Sequence, residues 1–375
     1  MYIKKKDVYM LKKIIIFTIC FSLFNIPSYA LSLSGKSSIV ICADTNQVLF
    51  GENIHEKMGM ASTTKIMTAI IALEYGNISD TVLVSQNASL QEGSSIYLKA
   101  GDKISLHNLL YGLMLNSGND AAMAIAEHIS KDKEAFVHLM NKKAEELGLS
   151  DTHFENPSGL PHKNHYSSAY DMAILMSYAM KNETFADIVA TKEYKIENNN
   201  SVTYLKNHNK LLWQYPYATG GKTGYTKSCG RCFVSCAKKD GVSIIAVTLD
   251  APNDWDDHMK LLDLGFNEAT LTSVISKNEI LCTRVVRGIR INLLSSDGFS
   301  IPLKDEKKYH ITCKIKLNED IPKQINFGTP LGVGELYVDK VYVGSINLAS
   351  GQTLPQKPSF GIIQNLIDVL KKSLF

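Results

Sequence analysis

Ser62-Thr-Thr-Lys-Ile-Met-Thr-Ala-Ile-Ile-Ala-Leu73 is the stretch from which the architecture can be read. Ile66, Met67, Ala69, Ile70, Ala72 and Leu73 cover nearly the whole circumference of a helix, and a helix apolar all round belongs inside a larger body. On either side of it the period changes. Residues 39–43 and 47–50 flank Asp44-Thr-Asn46 and read as a hairpin. After Lys222 the period becomes two: 231–237 and 242–249, joined by Lys238-Lys-Asp-Gly241, form a second antiparallel hairpin. Helical spacing recurs at 109–115, 121–129, 135–147 and 169–180. Strands at both ends with helices between them predict one α/β (α+β) unit over 31–270, an antiparallel sheet enclosing a helical cluster.

Beyond this unit the texture shifts. Short alternating runs at 280–286, 290–294, 310–317 and 335–346, separated by glycine-bearing turns, predict a small all-β, sandwich-like domain over 278–353. Nothing in it suggests chemistry, so it reads as a spacer or docking module. In the tail, 358–375, Gln364, Asn365, Asp368, Lys371 and Lys372 share one helical face and apolar residues fill the rest. That amphipathic helix is too short and too charged to cross a bilayer, and is expected to lie in the membrane interface.

Residues 1–30 have the three parts of a secretory signal: five lysines, an apolar run at 14–24, and Ser28-Tyr29-Ala30 before a cleavage point. They carry +4 of the chain's net +3, so the remainder stands near −1, and nucleic-acid binding is excluded as a theme. The 375-residue length suits two domains. Of the six cysteines outside the signal, Cys232 and Cys236 alternate along a strand with Phe233 and Ser235. Together with Cys229 they read as strand packing rather than a metal or redox motif.

Three patches carry chemistry. Ser62-Thr-Thr-Lys65 puts a hydroxyl at the start of the apolar helix and an amine one turn along on the same face. A half-buried lysine facing other cations loses its proton readily, and a neutral amine within reach of Ser62 produces a nucleophile. Ser-x-x-Lys by itself is weak evidence, since it recurs at Ser130/Lys133 and Ser235/Lys238. Ser117-Gly-Asn119 lies in a tight turn between two helices, where Asn119 or Asp120 would cap the second. Lys222-Thr-Gly224 opens a strand behind Thr219-Gly-Gly221, where glycines let a substrate backbone approach the strand edge.

In this order the trio resembles the signature of penicillin-binding proteins and class A β-lactamases, with Gly in place of the central Asp. Leu109-Leu-Tyr-Gly-Leu-Met-Leu-Asn-Ser-Gly-Asn-Asp120, Phe154-Glu-Asn-Pro-Ser-Gly-Leu160 and Gly221-Lys-Thr-Gly-Tyr-Thr226 narrow the resemblance to the serine-type D-alanyl-D-alanine carboxypeptidases, the low-molecular-mass penicillin-binding proteins. The resemblance implies a β-lactamase-like transpeptidase domain followed by a small β domain and an amphipathic tail. It implies that Ser62, deprotonated by Lys65, attacks the bond between the last two D-alanines of a peptidoglycan stem peptide. Ser117 and Lys222 would pass the proton to the leaving D-alanine, Asn119 hold the substrate amide, and Thr223 its carboxylate. The N–H groups of Ser62 and Tyr225, beside Gly224, would form the oxyanion hole. β-Lactam antibiotics would acylate Ser62; no metal or cofactor is implied. The implied location is outside a bacterial cell, attached to the outer face of the cytoplasmic membrane.

The sequence departs from the family in one respect. Some members bind the terminal carboxylate with an arginine in the segment corresponding to 251–262; here that segment offers Asp254, Asp256, Asp257 and His258, expected as a solvated helix start, and Arg231 is the substitute. Two rivals are a β-lactamase, for which Glu155 is the acid between the second and third patches, and a catalytically idle wall-binding protein. His162 and His165 read as part of a polar loop.

Overall fold

The computed structural model describes residues 31–198, 201–286, 288–304 and 309–354. The signal segment and the amphipathic tail expected from the sequence lie outside these residues. The chain enters on β1 (Ser37–Cys42) and β2 (Gln47–Glu52), then a 3-10 turn, Ala61–Thr64, leads into α1 (Lys65–Tyr75). Every residue of α1 from Lys65 to Ala72 is buried, as its all-round apolar face requires. Ser62 therefore sits in the tight turn before the helix instead of opening it. Two threonines close that turn, Thr63 Oγ1 donating to Met60 O (2.6 Å) and Thr64 Oγ1 to Ala61 O (2.8 Å).

Four helices pack around α1: α2 (Leu106–Leu115), α3 (Asn119–Ser130), α4 (Lys133–Glu146) and α5 (Ala169–Ala179). Ser105, Asp132 and Ser168 cap α2, α4 and α5 by accepting backbone N–H groups. The sheet is completed by β3 (Ala218–Thr226), β4 (Gly230–Lys239) and β5 (Val242–Leu249), and α6 (Asp254–Glu268) follows. Its five antiparallel strands run β2-β1-β5-β4-β3, so β1 lies centrally beside β5 and β3 forms an edge. A free edge at β3 is what positions the site.

After α6 the described residues are all β: β6 (Thr270–Ile275), β7 (Ile280–Val286), β8 (Ile289–Ser295), β9 (Phe299–Leu303), β10 (Ile311–Leu317), β11 (Pro330–Val338) and β12 (Val341–Ser350). Five of these form a second antiparallel sheet, β7-β8-β12-β11-β10, over its own small core of Ile291, Leu293, Leu331, Leu336 and Leu348. β6 pairs with β9 separately. The run 335–346, one segment in the sequence pattern, is two strands bent at Asp339-Lys340, both with positive φ (45° and 74°).

Candidate active site

At the start of α1 the hydroxyl and the amine face each other. Lys65 Nζ lies 3.0 Å from Ser62 Oγ, 2.7 Å from Asn119 Oδ1 and 2.6 Å from the Ser158 carbonyl. The side chain is wholly buried. Burial, and next the positive charge of Lys222, hold its pKa well below the usual 10.5, with Asp120 opposing. A neutral amine has two N–H donors and one lone pair. Two carbonyl oxygens, which can only accept, take the donors, and the lone pair is left for the Ser62 hydroxyl.

The turn between α2 and α3 supplies the second pair of residues. Ser117 adopts φ +61°, and its hydroxyl is buried with no hydrogen-bond partner among the described residues. It lines the same cleft as Ser62. Asn119 spends its amide within the protein: Oδ1 accepts from Lys65 and Nδ2 donates to the Glu92 carbonyl (2.5 Å). In this arrangement it positions the base. The cap expected from Asn119 or Asp120 is absent, for Gly118 occupies the N-cap without a side-chain bond. Asp120 instead turns outward from its helix and accepts the N–H groups of Ile96 and Leu98 and the Ser95 hydroxyl, fixing the loop that brings Ser94 to the cleft.

Edge strand β3 closes the other side. Lys222 is buried and pushed down to about 7 by desolvation; Nζ donates to the Thr223 carbonyl (2.8 Å). A Cβ on Gly224 would stand 2.9 Å from Ser62 N and 3.1 Å from Met60 O, so only glycine lets this strand run so close to the nucleophile. Thr223, Gly224 and the exposed Tyr225 line the cleft, of about 350 Å³, with His208, Lys210, Arg231, Asp254 and Trp255. All eight residues singled out from the sequence, Ser62, Lys65, Ser117, Asn119, Lys222, Thr223, Gly224 and Tyr225, thus meet at this cleft or directly behind it.

The sequence missed the supports. His165, within the loop read as polar, is buried: its Nδ1 accepts the Glu155 N–H (3.0 Å), which leaves Nε2 to donate to Thr64 Oγ1 (2.7 Å). It ties the turn carrying Ser62 to the loop carrying Ser158. Burial lowers its pKa to about 4. The solvated helix start expected at 254–258 is also corrected. Asp254 and Asp257 are buried because the first takes a guanidinium nitrogen of Arg231 (2.9 Å) and the second the N–H and hydroxyl of Ser34. His258 is enclosed between Ser235 Oγ (2.6 Å) and Thr248 Oγ1 (3.0 Å). Among the described residues no three His, Cys, Asp or Glu side chains gather as a metal site would need. Cys232 and Cys236 are buried strand thiols and Cys229 sits in the preceding turn, all three free.

A nucleophile paired with a buried amine beside a glycine-lined strand edge marks a serine hydrolase. The family to which this one belongs is that of the D-alanyl-D-alanine carboxypeptidases, whose model matches residues 25–253. Residues 270–356 match the C-terminal domain of penicillin-binding protein 5. The chain is 38% identical over 315 residues to the D-alanyl-D-alanine carboxypeptidase DacF of Bacillus subtilis, covering 80% of this chain and 81% of that one. Among solved structures, the carboxypeptidase DacD of Francisella tularensis aligns with a TM-score of 0.63 at 25% identity, over 88% of this chain and 96% of that one. A Streptomyces K15 DD-transpeptidase mutant aligns at 0.61 and 31% identity, over 63% of this chain and 99% of that one. The protein is a serine D-alanyl-D-alanine carboxypeptidase with a mixed α/β domain and a separate all-β domain. Neither rival reading gains support, and Glu155 faces His153 and His162 (3.7 Å each).

Proposed function

We propose that Ser62 is the acylated nucleophile and Lys65 its base, acting on the terminal D-Ala-D-Ala of peptidoglycan stem peptides. The observation that carries this is the wholly buried Lys65 Nζ, 3.0 Å from Ser62 Oγ and held by the Asn119 and Ser158 carbonyl oxygens at 2.7 and 2.6 Å. Ser62 attacks the carbonyl between the two D-alanines as its proton passes to Lys65. The unpartnered hydroxyl of Ser117, with Lys222 behind it, hands a proton to the departing D-alanine. The N–H groups of Ser62 and Tyr225 stabilise the oxyanion, worth about 3 kcal/mol per donor. Thr223 and Arg231 take the terminal carboxylate, and water then hydrolyses the acyl-enzyme. A β-lactam enters the same cycle and stalls at the acyl stage. Labelling with fluorescent penicillin and mapping the adduct tests the assignment: the label belongs on Ser62, and Ser62→Ala abolishes both the label and D-alanine release. A label elsewhere overturns it.

The relatives are bacterial, which fits an extracytoplasmic location. No described helix is long and apolar enough to cross a membrane. The finer reading is that residues 1–30 direct export and residues 358–375 hold the enzyme to the outer face of the cytoplasmic membrane. Deleting the last 21 residues (355–375) should release it into the culture medium; retention in the membrane fraction sinks the tail's role.

A further inference from the structure

The second sheet has a near end and a far end. At the near end the turn between β11 and β12 meets the catalytic domain: Tyr342 and Val343 share a pocket with Cys236, Lys238 and Ile244, and Asp339 and Val341 share another with Thr45 and Gln47. The 10 residues of β12 then carry the chain about 30 Å away, at roughly 3.3 Å per residue. The far end holds the turn between β7 and β8 and the start of β11.

Large apolar side chains stand out to solvent at this far end: Val285 is 64% exposed, Phe327 61% and Ile289 39%. Val285 pairs across the turn with Arg290, and Arg284 precedes it; both arginines are exposed. The last described residues run through the same patch. Gln352 Nε2 donates to Arg290 O (2.8 Å), Phe327 N to Thr353 Oγ1 (3.0 Å) and Leu354 N to Ile325 O (2.8 Å), so residues 355–375 continue from beside it. Charge is divided along the same direction. Residues 270–354 hold 11 Lys and Arg against 8 Asp and Glu, while residues 31–269 hold 21 against 27. Glu319 and Asp320 follow β10, on the opposite edge of the sheet from the arginine-bearing turn. An anionic surface therefore attracts the β domain and repels the catalytic one.

Deepening the reading of membrane attachment above, we propose that Val285, Ile289 and Phe327 enter the headgroup layer of an anionic bilayer while Arg284 and Arg290 meet its phosphates. This is a contact of the folded β domain itself, separate from residues 358–375. It stands the β domain between the lipid and the catalytic domain. Arginines alone would suit any phosphate-bearing polymer; three exposed apolar side chains among them need hydrocarbon, which a bilayer offers and a polyphosphate chain does not.

The test uses the full-length protein with vesicles of phosphatidylcholine alone and of an equimolar mixture with phosphatidylglycerol. Phe327→Trp supplies a reporter, and the parent, whose 2 tryptophans are Trp213 and Trp255 of the catalytic domain, supplies the background. On the mixed vesicles the added indole should shift to the blue and be quenched by brominated acyl chains, while the parent's fluorescence stays unquenched. Partitioning should be at least about five-fold weaker on phosphatidylcholine alone. Val285→Ser combined with Phe327→Ser should weaken it roughly ten-fold on the mixture. Penicillin acylation of that variant in solution, within about two-fold of the parent, reports that the fold is intact. Protein that sediments with the vesicles while residue 327 stays unquenched overturns the contact and keeps the tail's role. Protein that ignores both vesicles removes both. Binding to soluble polyglycerol phosphate in place of the vesicles also overturns the proposal, in favour of a wall polymer.

Discussion

A lysine in water keeps its proton up to pH of about 10.4, which makes it useless as a base at neutrality. At position 65 desolvation comes first and the neighbouring Lys222 second in driving the proton off. The active form is the deprotonated one, so the second-order rate of acylation by penicillin should rise with pH along a limb well below lysine's usual range. Lys222 itself titrates near 7, so the limb belongs to the pair. Lys222→Gln removes a like charge, Lys65 then holds its proton to higher pH, and the limb moves upward. Stopped-flow acylation across the neutral range checks this, and an unmoved limb would mean that the two amines do not communicate. Arg231 makes a second residue-scale case. It lines the cleft as a planar guanidinium with a fork of donors, and among the described residues its Nε is buried without a partner. Arg231→Gln should cost about 2 kcal/mol, roughly thirty-fold in kcat/KM, on a peptide ending in a free carboxylate. Its carboxamide analogue should be cleaved by parent and variant alike; equal loss on both would place the terminal carboxylate elsewhere.

Elements whose partners are close in sequence were legible from their period. The buried circumference of α1 and the β4–β5 hairpin were both read to within a few residues, because each pattern has one cause, burial on one face or all faces. Elements made by distant partners were not. Asp254, Asp257 and His258 look like a polar helix start, yet they share the inward face of α6, where Arg231, Ser34, Ser235 and Thr248 satisfy them. The same holds at the cleft: the three motifs are local, while the supports, His165 under Thr64 and the Ser158 carbonyl on Lys65, come from residues about a hundred positions away. His258 leaves a measurable trace. Burial holds it neutral down to about 3, while an unfolded chain protonates it near 6.5. Below that value the unfolded state binds the extra proton, so stability falls as pH drops, by about 1.4 kcal/mol per pH unit, and His165 adds a second such slope. Urea unfolding between about pH 6.5 and 5, above the main carboxylate range, should show both slopes. His258→Gln should remove one of them, and a slope that persists in full would assign the proton uptake to other groups.

At the scale of the whole molecule, one junction between the two sheets runs through β6 and β9. β6 leaves α6 and pairs with β9, after which Lys304 binds back to the first sheet, Nζ donating to Leu49 O (2.7 Å) and lying 3.1 Å from Glu268. Its backbone N–H also reaches Gln47 Oε1 (3.1 Å). None of these contacts touches the cleft, whose lining residues end at Trp255. The Streptomyces K15 fold, matched over 99% of its own length by 63% of this chain, is a precedent for a body without the second sheet. A chain of residues 31–269 should therefore fold and be acylated by penicillin within about three-fold of the full-length rate, since a remote domain with no side chain in the site contributes stability and not chemistry. Should that chain prove insoluble, Lys304→Ala in the full protein asks the same question, by unfastening the junction at a cost of about 1 kcal/mol while leaving acylation unchanged. Acylation slowed more than about ten-fold in a folded, truncated protein would mean that the second sheet holds β3 and the 3-10 turn in register, and that the catalytic geometry is a property of both domains together.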